Sequence, residues 1–407
     1  MRLSVTLSTL VRVSAALVMI GAAVLYAWMK PIWDWDVIPY LYIAKMLAGG
    51  GGYVHAHAWV YDMINQLPAA VVHDLRAREH FREIVANSPL SLAQLAGFYE
   101  ARQGYIGLLA ILIKLHIPPF TAIQLLNAGG QILLGFMVWR WLQHMPLRGP
   151  YTRQIGISVC LAIILAFPSV MKVARWSNPD GLVAATYLAG AYLLWKQSSW
   201  WAVCAFMMVA LKPTTIVFFL PLGGWFAWHR RWQDLMYWIG IGVVAGWLLG
   251  TYGHYSLTQL WHHTFIGAMA YPEKWPASQP VLHFYIYEKF AFYLEIMRMR
   301  MGGLHGRDMV LFVVFGVCSV YAVAKKQGLA MMLAGGIALH VLLFPGFWER
   351  LVVGPVLALV LMVVCKRDYM SAPAFSSRQK LAKPTGYVRD KRETNRIINE
   401  SSDHRPL

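Results

Sequence analysis

Two carboxylates stand directly after the first long apolar segment, in Trp33-Asp34-Trp35-Asp36-Val37-Ile38-Pro39-Tyr40. An aspartate at a membrane edge is costly to desolvate, so it either reaches water or does chemistry. In the second case it is a general base for an acceptor hydroxyl. Cations stand at the ends or breaks of other apolar runs: Lys172 and Arg175, Lys212, and Arg350 beside Glu349. Lys or Arg in a water-poor pocket stabilises the charge that develops on a departing phosphate. These residues suit transfer of a group from a lipid phosphate, with Asp36 or Asp34 as base and Asp180 as a further acid. Asp34 and Asp36 share a face on an extended segment and diverge on a helix, so only one is expected to face a substrate. Each residue also has a plainer role open to it. Asp180, after Asn178-Pro179, suits a helix cap. Lys172 and Arg175 suit headgroup anchors, and Glu349 with Arg350 suits an ion pair.

The elements that must position these residues are membrane helices. The 407-residue chain is 58% hydrophobic and 14% charged, with mean hydropathy +0.48. Apolar runs recur along it at lengths near that needed to cross a hydrocarbon core of about 30 Å. The net charge of +17 fits cytoplasmic loops rich in Lys and Arg, and no nucleic-acid partner is implied. Cys160, Cys204, Cys318 and Cys365 lie in apolar segments at unrelated spacings, so they read as packing residues. The segment from Ser8 to Met29 ends in Tyr26-Ala27-Trp28-Met29, a poor cleavage site, and reads as an uncleaved first helix with its N-terminus inside.

Charge parity sets an expected topology. Residues 30–118 form an outer region, in which Gly104 to Ile113 is too short to cross. Residues 200–229 are too long for one span and carry Lys212-Pro213 at their middle, which predicts a hairpin with Lys212 at the outer turn. Residues 253–307 form a second outer loop. Counting Gly104 to Ile113 as spanning would put Arg230-Arg231, Lys325-Lys326 and Lys366-Arg367 outside, against the positive-inside rule. The expectation is an all-α transmembrane bundle of about ten spans with both termini cytoplasmic. Residues 1–365 make one catalytic membrane domain, and residues 366–407 make a polar, disordered cytoplasmic tail. This topology lands Asp34, Asp36, Lys172, Arg175, Asp180, Lys212, Glu349 and Arg350 on one outer face.

Other motifs carry less. Gly49-Gly50-Gly51-Gly52 lacks the flanks of a phosphate loop and reads as a helix end. His55-x-His57 and His262-His263 lack a complete zinc ligand set. Tyr271-Pro272-Glu273-Lys274-Trp275-Pro276 suits the membrane interface or a sugar contact. The run Arg76 to Arg82 predicts an amphipathic surface helix.

Asp36-x3-Tyr40-x2-Ile43-Ala44, followed by Met46-Leu47-Ala48-Gly49-Gly50, resembles the first outer loop of GT-C superfamily glycosyltransferases, with their D-x-x-x-Y-x-x-I-A pattern. Arg175-Trp176-Ser177-Asn178-Pro179-Asp180 is similar to the superfamily's second outer acidic turn, and Ala210-Leu211-Lys212-Pro213-Thr214 to its T/S-K-P/G hairpin. Trp348-Glu349-Arg350 resembles its E-R-Y turn, with Leu351 in the aromatic position. Val37 stands where an Asp-Glu pair is common. Gln103-Gly104-Tyr105 stands where a basic residue and Pro-Pro precede the short outer helix, and no basic residue is expected there.

The resemblance implies a compact, bacterial-type multi-pass enzyme of the plasma membrane, working at the outer face. Its donor is a polyprenyl-phosphate sugar and its acceptor a lipid, glycan or protein. Asp36 is implied as base, with Asp34 and Asp180 as supporting acids. Lys212, Arg175, Arg350 and Lys172 become donor-phosphate contacts, and Tyr40 and Glu349 sugar or acceptor contacts. No cofactor is implied with certainty; a divalent metal stays open. A second reading, a transporter or flippase for a lipid-linked saccharide, stays open beside it, although internal repeats and midplane charges of the usual transporter kind are not visible.

Overall fold

The computed structural model describes residues 2–49, 51–252, 286–304, 306–344 and 349–365. Among them the chain is helical, with one isolated bridge between Ile32 and Trp176. The helices are α1 (Arg2–Met29), α2 (Val37–Leu47), α3 (Tyr53–Ile64), α4 (Ala69–Ala77), α5 (His80–Asn87), α6 (Pro89–Ala96), α7 (Gln103–Lys114), α8 (Pro119–Leu142), α9 (Pro150–Ala166), α10 (Pro168–Arg175), α11 (Asp180–Trp195) and α12 (Trp201–Leu211). A 3-10 segment (Pro213–Phe219) then leads to α13 (Leu220–Trp228), α14 (Trp232–Tyr252), α15 (Ile286–Gly302), α16 (Arg307–Ala324), α17 (Gly328–Leu343) and α18 (Glu349–Val364).

By length and composition, Leu10–Met29, Pro119–Leu142 and Trp232–Tyr252 can each cross a membrane. The pair Tyr151–Ala166 and Pro168–Arg175 passes the same test as one unit but is bent by 57°. Pro168 causes the bend, because it has no N–H for the preceding turn and its ring crowds that turn. Outward-facing apolar residues such as Leu17, Val18, Val243 and Val317 are well exposed, as suits helices solvated by lipid. The centre is α11, apolar on all sides and buried along almost its whole length, which marks a core helix. It packs most extensively against α8, α12 and α18. The ends of the 200–229 segment lie side by side: the Trp201 ring meets Phe226 at 5.3 Å, and its indole donates to Asp234 Oδ1 at 2.7 Å. The segment is therefore a hairpin with Lys212 at its turn.

Close approach of backbones builds this core. A Cβ on Gly354 of α18 would lie 2.7 Å from the Ala184 Cα of α11. Small residues let membrane helices meet in this way, where dispersion rather than water drives association.

Several expectations change. Residues 30–102 are not an open loop but the stack α2–α6, whose apolar faces, among them Ile38, Leu41, Val60 and Leu92, are fully buried. The Arg76 to Arg82 run is split between α4 and α5, because Glu79 is extended (φ −130°, ψ 140°). Within the expected outer loop 253–307, residues 286–302 are helical and 253–285 lie outside the described residues, with His262, His263 and Tyr271 to Pro276. The tail from 366 also lies outside them. Helix α7 has 12 residues, about 18 Å of rise. Helix α2 ends at Leu47, and Gly49 and Gly51 follow with φ of +92° and +80°, where only glycine is unstrained. Cys160, Cys204, Cys318 and Cys365 are free thiols.

Gly354→Ala is expected to lower stability by about 1–3 kcal/mol, since α11 and α18 must move apart. Thermal unfolding in detergent reads this. A variant as stable as the parent would remove Gly354 as the point of contact.

Candidate active site

Backbone geometry first brings distant segments together. Ile32 N–H donates to the Arg175 carbonyl at 2.8 Å, and Ser177 N–H to the Ile32 carbonyl at 3.0 Å. This clamps the 30–36 segment against the α10–α11 turn. Asn127 of α8 holds that turn through the Trp176 carbonyl at 2.7 Å. The Ser177 hydroxyl accepts from Asp34 N–H at 2.8 Å. Val37 N–H donates to the Asp34 carbonyl at 3.0 Å, so residues 34–37 form a turn. From this turn both carboxylates reach one guanidinium.

The common partner is Arg350, in the first turn of α18. Its Nη1 lies 3.1 Å from Asp34 Oδ2 and 3.5 Å from Asp36 Oδ2, and its Nε lies 3.6 Å from Asp180 Oδ2. Asp180, in the first turn of α11, accepts from Lys212 Nζ at 2.7 Å with its other oxygen. That pair is deeply buried, with side-chain exposures of 1% and 11%. Beside it Lys172 Nζ meets Glu349 Oε2 at 2.8 Å. The Trp176 ring lies under both cations, 4.5 Å from Lys172 Nζ and 5.3 Å from Arg350 Cζ, a cation–π seat that orients them.

The stack α2–α6 covers the other side. The Tyr99 hydroxyl donates to Asp36 Oδ1 at 2.7 Å. The Arg102 guanidinium donates to the Tyr40 hydroxyl and lies 4.7 Å from the Tyr99 ring centre. Tyr40 packs edge-on against Tyr99 and Tyr105 at 5.2 and 5.0 Å. Asp34, Asp36, Asp180 and Glu349 thus face Arg102, Lys172, Lys212 and Arg350, four acids against four bases.

Neighbours drive the two aspartates apart. Burial raises Asp34, the Asp36 carboxylate adds to this, and Arg350 opposes both; the result is about 6. Burial also acts on Asp36. There Arg350, Arg102 and the Tyr99 hydroxyl outweigh it and hold the carboxyl below its ordinary range. Burial, then the Asp36 charge, pushes the Tyr99 hydroxyl well above the ordinary tyrosine range, so it stays a donor. Two carboxyl groups with divergent proton affinities in one cleft are a mark of acid–base sites.

The structure brings together Asp34, Asp36, Tyr40, Lys172, Asp180, Lys212, Glu349 and Arg350. Arg175 stands apart: its guanidinium bonds the Lys30 carbonyl and lies 5.4 Å from the Tyr26 ring centre. It ends α10, one turn after Lys172. Asp180 does not cap its own helix; the Asn178 side chain accepts its N–H at 3.0 Å. The expected lack of a basic residue before the short outer helix is corrected, because Arg102 precedes Gln103 and α7. Tyr99 and Arg102 lie in a turn of no clear period, and only their adjacency to α7 could have pointed to them. Trp348 lies outside the described residues. Among the described residues no group of three or more His, Cys, Asp or Glu is arranged to hold a metal ion. His57 is buried and its ring bonds the Val85 carbonyl at 3.0 Å.

Helices long and apolar enough to cross a membrane thus surround a cluster of paired acids and cations. A model of glycosyltransferase family 87 matches residues 106–345, more than half of the chain. The chain belongs to this family, one of the GT-C-type membrane glycosyltransferases. No curated protein and no solved structure gives a match.

Two outcomes follow from the ion pairs. Lys212→Met leaves a buried carboxylate without its nearest cation and should cost about 3–5 kcal/mol. Lys212→Met combined with Asp180→Leu should regain much of that loss in thermal unfolding; a double variant no more stable than the single one overturns the pairing. For Asp34 the folded carboxyl binds its proton more tightly than the unfolded one, so stability falls as pH rises from about 4 to about 6. Asp34→Asn should therefore exceed the parent above pH 6, by up to about 3 kcal/mol for two pKa units, and match it below about pH 4. A difference that does not change with pH would refute the raised carboxyl.

Proposed function

We propose that the chain moves a sugar from a polyprenyl-phosphate donor to an acceptor hydroxyl at the outer face of the plasma membrane, inverting the anomeric carbon in one displacement. The observation that carries this reading is the Arg350 guanidinium, held among Asp34, Asp36 and Asp180 with Lys212 and Lys172 close by. A cation so placed serves a phosphate, and the carboxylates beside it serve the attacking hydroxyl.

The acceptor hydroxyl gives its proton to Asp36 as its oxygen bonds to the anomeric carbon. The bond from that carbon to the phosphate oxygen breaks, and polyprenyl phosphate leaves with the electron pair. Arg350, Lys212 and Lys172 stabilise the charge on the leaving group. Arg175, turned toward Tyr26, is left out of this clamp. As the donor phosphate takes Arg350, Asp36 loses its strongest lowering partner, and its proton affinity rises toward the range of an effective base. Tyr40 and Glu349 border the sugar or acceptor, and Asp180 holds Lys212 in place. The reading includes the topology of about ten spans with cytoplasmic termini. The acceptor is a lipid, glycan or protein of the cell envelope.

Asp36→Asn is expected to lower transfer by about 10²–10⁴-fold, the usual share of a general base, while the protein still folds and inserts. The assay is release of polyprenyl phosphate from a polyprenyl-phosphate sugar in the presence of envelope extract. Transfer within threefold of the parent would exclude Asp36 as base.

A further inference from the structure

A second polar concavity lies away from this site, in a cleft of about 450 Å³ between α1, α8 and α9. Its lining includes Arg12 from α1, Arg140 from the end of α8, His144 from the turn after it, and Arg153, Gln154 and Ser158 from α9. No Asp or Glu lines it. Arg140 and Arg153 are exposed and Arg12 is half-buried. The Arg153 guanidinium bonds the Gln143 carbonyl, which ties α9 back across the α8–α9 turn.

The cleft sits at the opposite end of the bundle from Arg350. On α8, Asn127 holds the Trp176 carbonyl beside the active site, and Arg140 follows 13 residues later, about 20 Å along the axis. Its inner wall is apolar, including Ala16 and Leu161. Beside that wall Leu17 of α1 and Ile163 of α9 face outward, 64% and 62% exposed. A cationic rim over an apolar, lipid-facing wall matches the join between a phosphate headgroup and its acyl chains. Arg140 and Arg153 bring two guanidinium groups to a wall with no acid among its lining residues, and phosphate oxygens accept from such groups. Basic pockets between membrane helices take anionic headgroups for this reason.

We propose that this cleft binds the phosphate-bearing headgroup of an anionic phospholipid, with the guanidinium groups of Arg140 and Arg153 on the phosphate and an acyl chain along α1 and α9. A free phosphate ion offers the same headgroup chemistry without the chain. The site is independent of sugar transfer, since its occupant is neither donor nor product and its test reads binding.

The test uses the full chain in detergent, with native mass spectrometry to count bound lipid. The probes are dioleoylphosphatidylglycerol, dioleoylphosphatidylcholine and inorganic phosphate. The parent should retain phosphatidylglycerol at least tenfold better than phosphatidylcholine, and Arg140→Gln with Arg153→Gln should lose that preference, while Arg140→Lys with Arg153→Lys keeps most of it. Equal retention of the two lipids by the parent, or an undiminished preference in the glutamine variant, overturns the proposal. So does saturable binding of inorganic phosphate that displaces phosphatidylglycerol at equal concentration. Should the glutamine pair not fold, Arg140→Glu at its exposed position gives the same reading, with loss of preference supporting the site and retention overturning it.

Discussion

One guanidinium holds the functional end of this protein together. Arg350 reaches Asp34, Asp36 and Asp180 at once, and so joins the start of α18 to the start of α11 and to a segment more than 300 residues earlier in the chain. Removing four acids and four bases from water is expensive, and buried ion pairs rarely add net stability. What they add is geometry. Each charge has given up much of its solvent and is compensated by its partners. The Ile32–Trp176 bridge, the Ser177 hydroxyl and the Asn127 amide exist to hold that arrangement from the backbone side. The Trp176 ring does the same from below the cations. The packing of α11 against α18 through Gly354 fixes the distance over which Arg350 can reach.

Much of this was legible in the residues, for identifiable reasons. Apolar runs mark membrane helices because lipid demands that every backbone polar group be paired within the segment. A lysine and a proline at the middle of one such run can only be a turn, and Lys212 stands at one. Charge parity grouped the acids and cations on one face without any three-dimensional information. Lys172 meets Glu349 and the Trp176 ring, whereas Arg175 of the same helix bonds the Lys30 carbonyl; partners of this kind are set by tertiary packing and carry no local signal. Tyr99 and Arg102 were invisible because nothing periodic marks them. They reach Asp36 and Tyr40 only after α2–α6 fold as a stack, and that stack is a tertiary event. The turn at residues 34–37 was equally hidden: neither strand nor helix periodicity describes a carboxylate pair aimed at one guanidinium.

The family match covers residues 106–345 and so includes Lys172, Asp180 and Lys212, but it stops short of Arg350 and begins after Asp34, Asp36 and Arg102. Of the cations suited to a phosphate, Lys172 and Lys212 lie in the matched region and Arg350 lies just beyond it. The acids suited to an acceptor come from the segment before it, together with the helices α2–α6 that cover them.

Charge balance then constrains how such a cleft can fill. With all eight groups ionised the cluster is neutral, and the phosphodiester donor of the proposed reading would bring one further negative charge. A water-poor site cannot hold that excess cheaply, so a proton must enter or a carboxylate must turn out to solvent. Asp34 is the member already poised for it. Its carboxyl, pushed up to about 6 by burial and by Asp36, accepts a proton closer to neutrality than the ordinary acid does, whereas Asp36 is held below its usual range by Arg350, Arg102 and Tyr99. Protonated Asp34 releases its share of Arg350 to the phosphate and removes its repulsion of Asp36. The two aspartates are thus unequal by design of their neighbours. On the proposed reading, Asp34 balances the charge of the donor and Asp36 takes the proton of the acceptor.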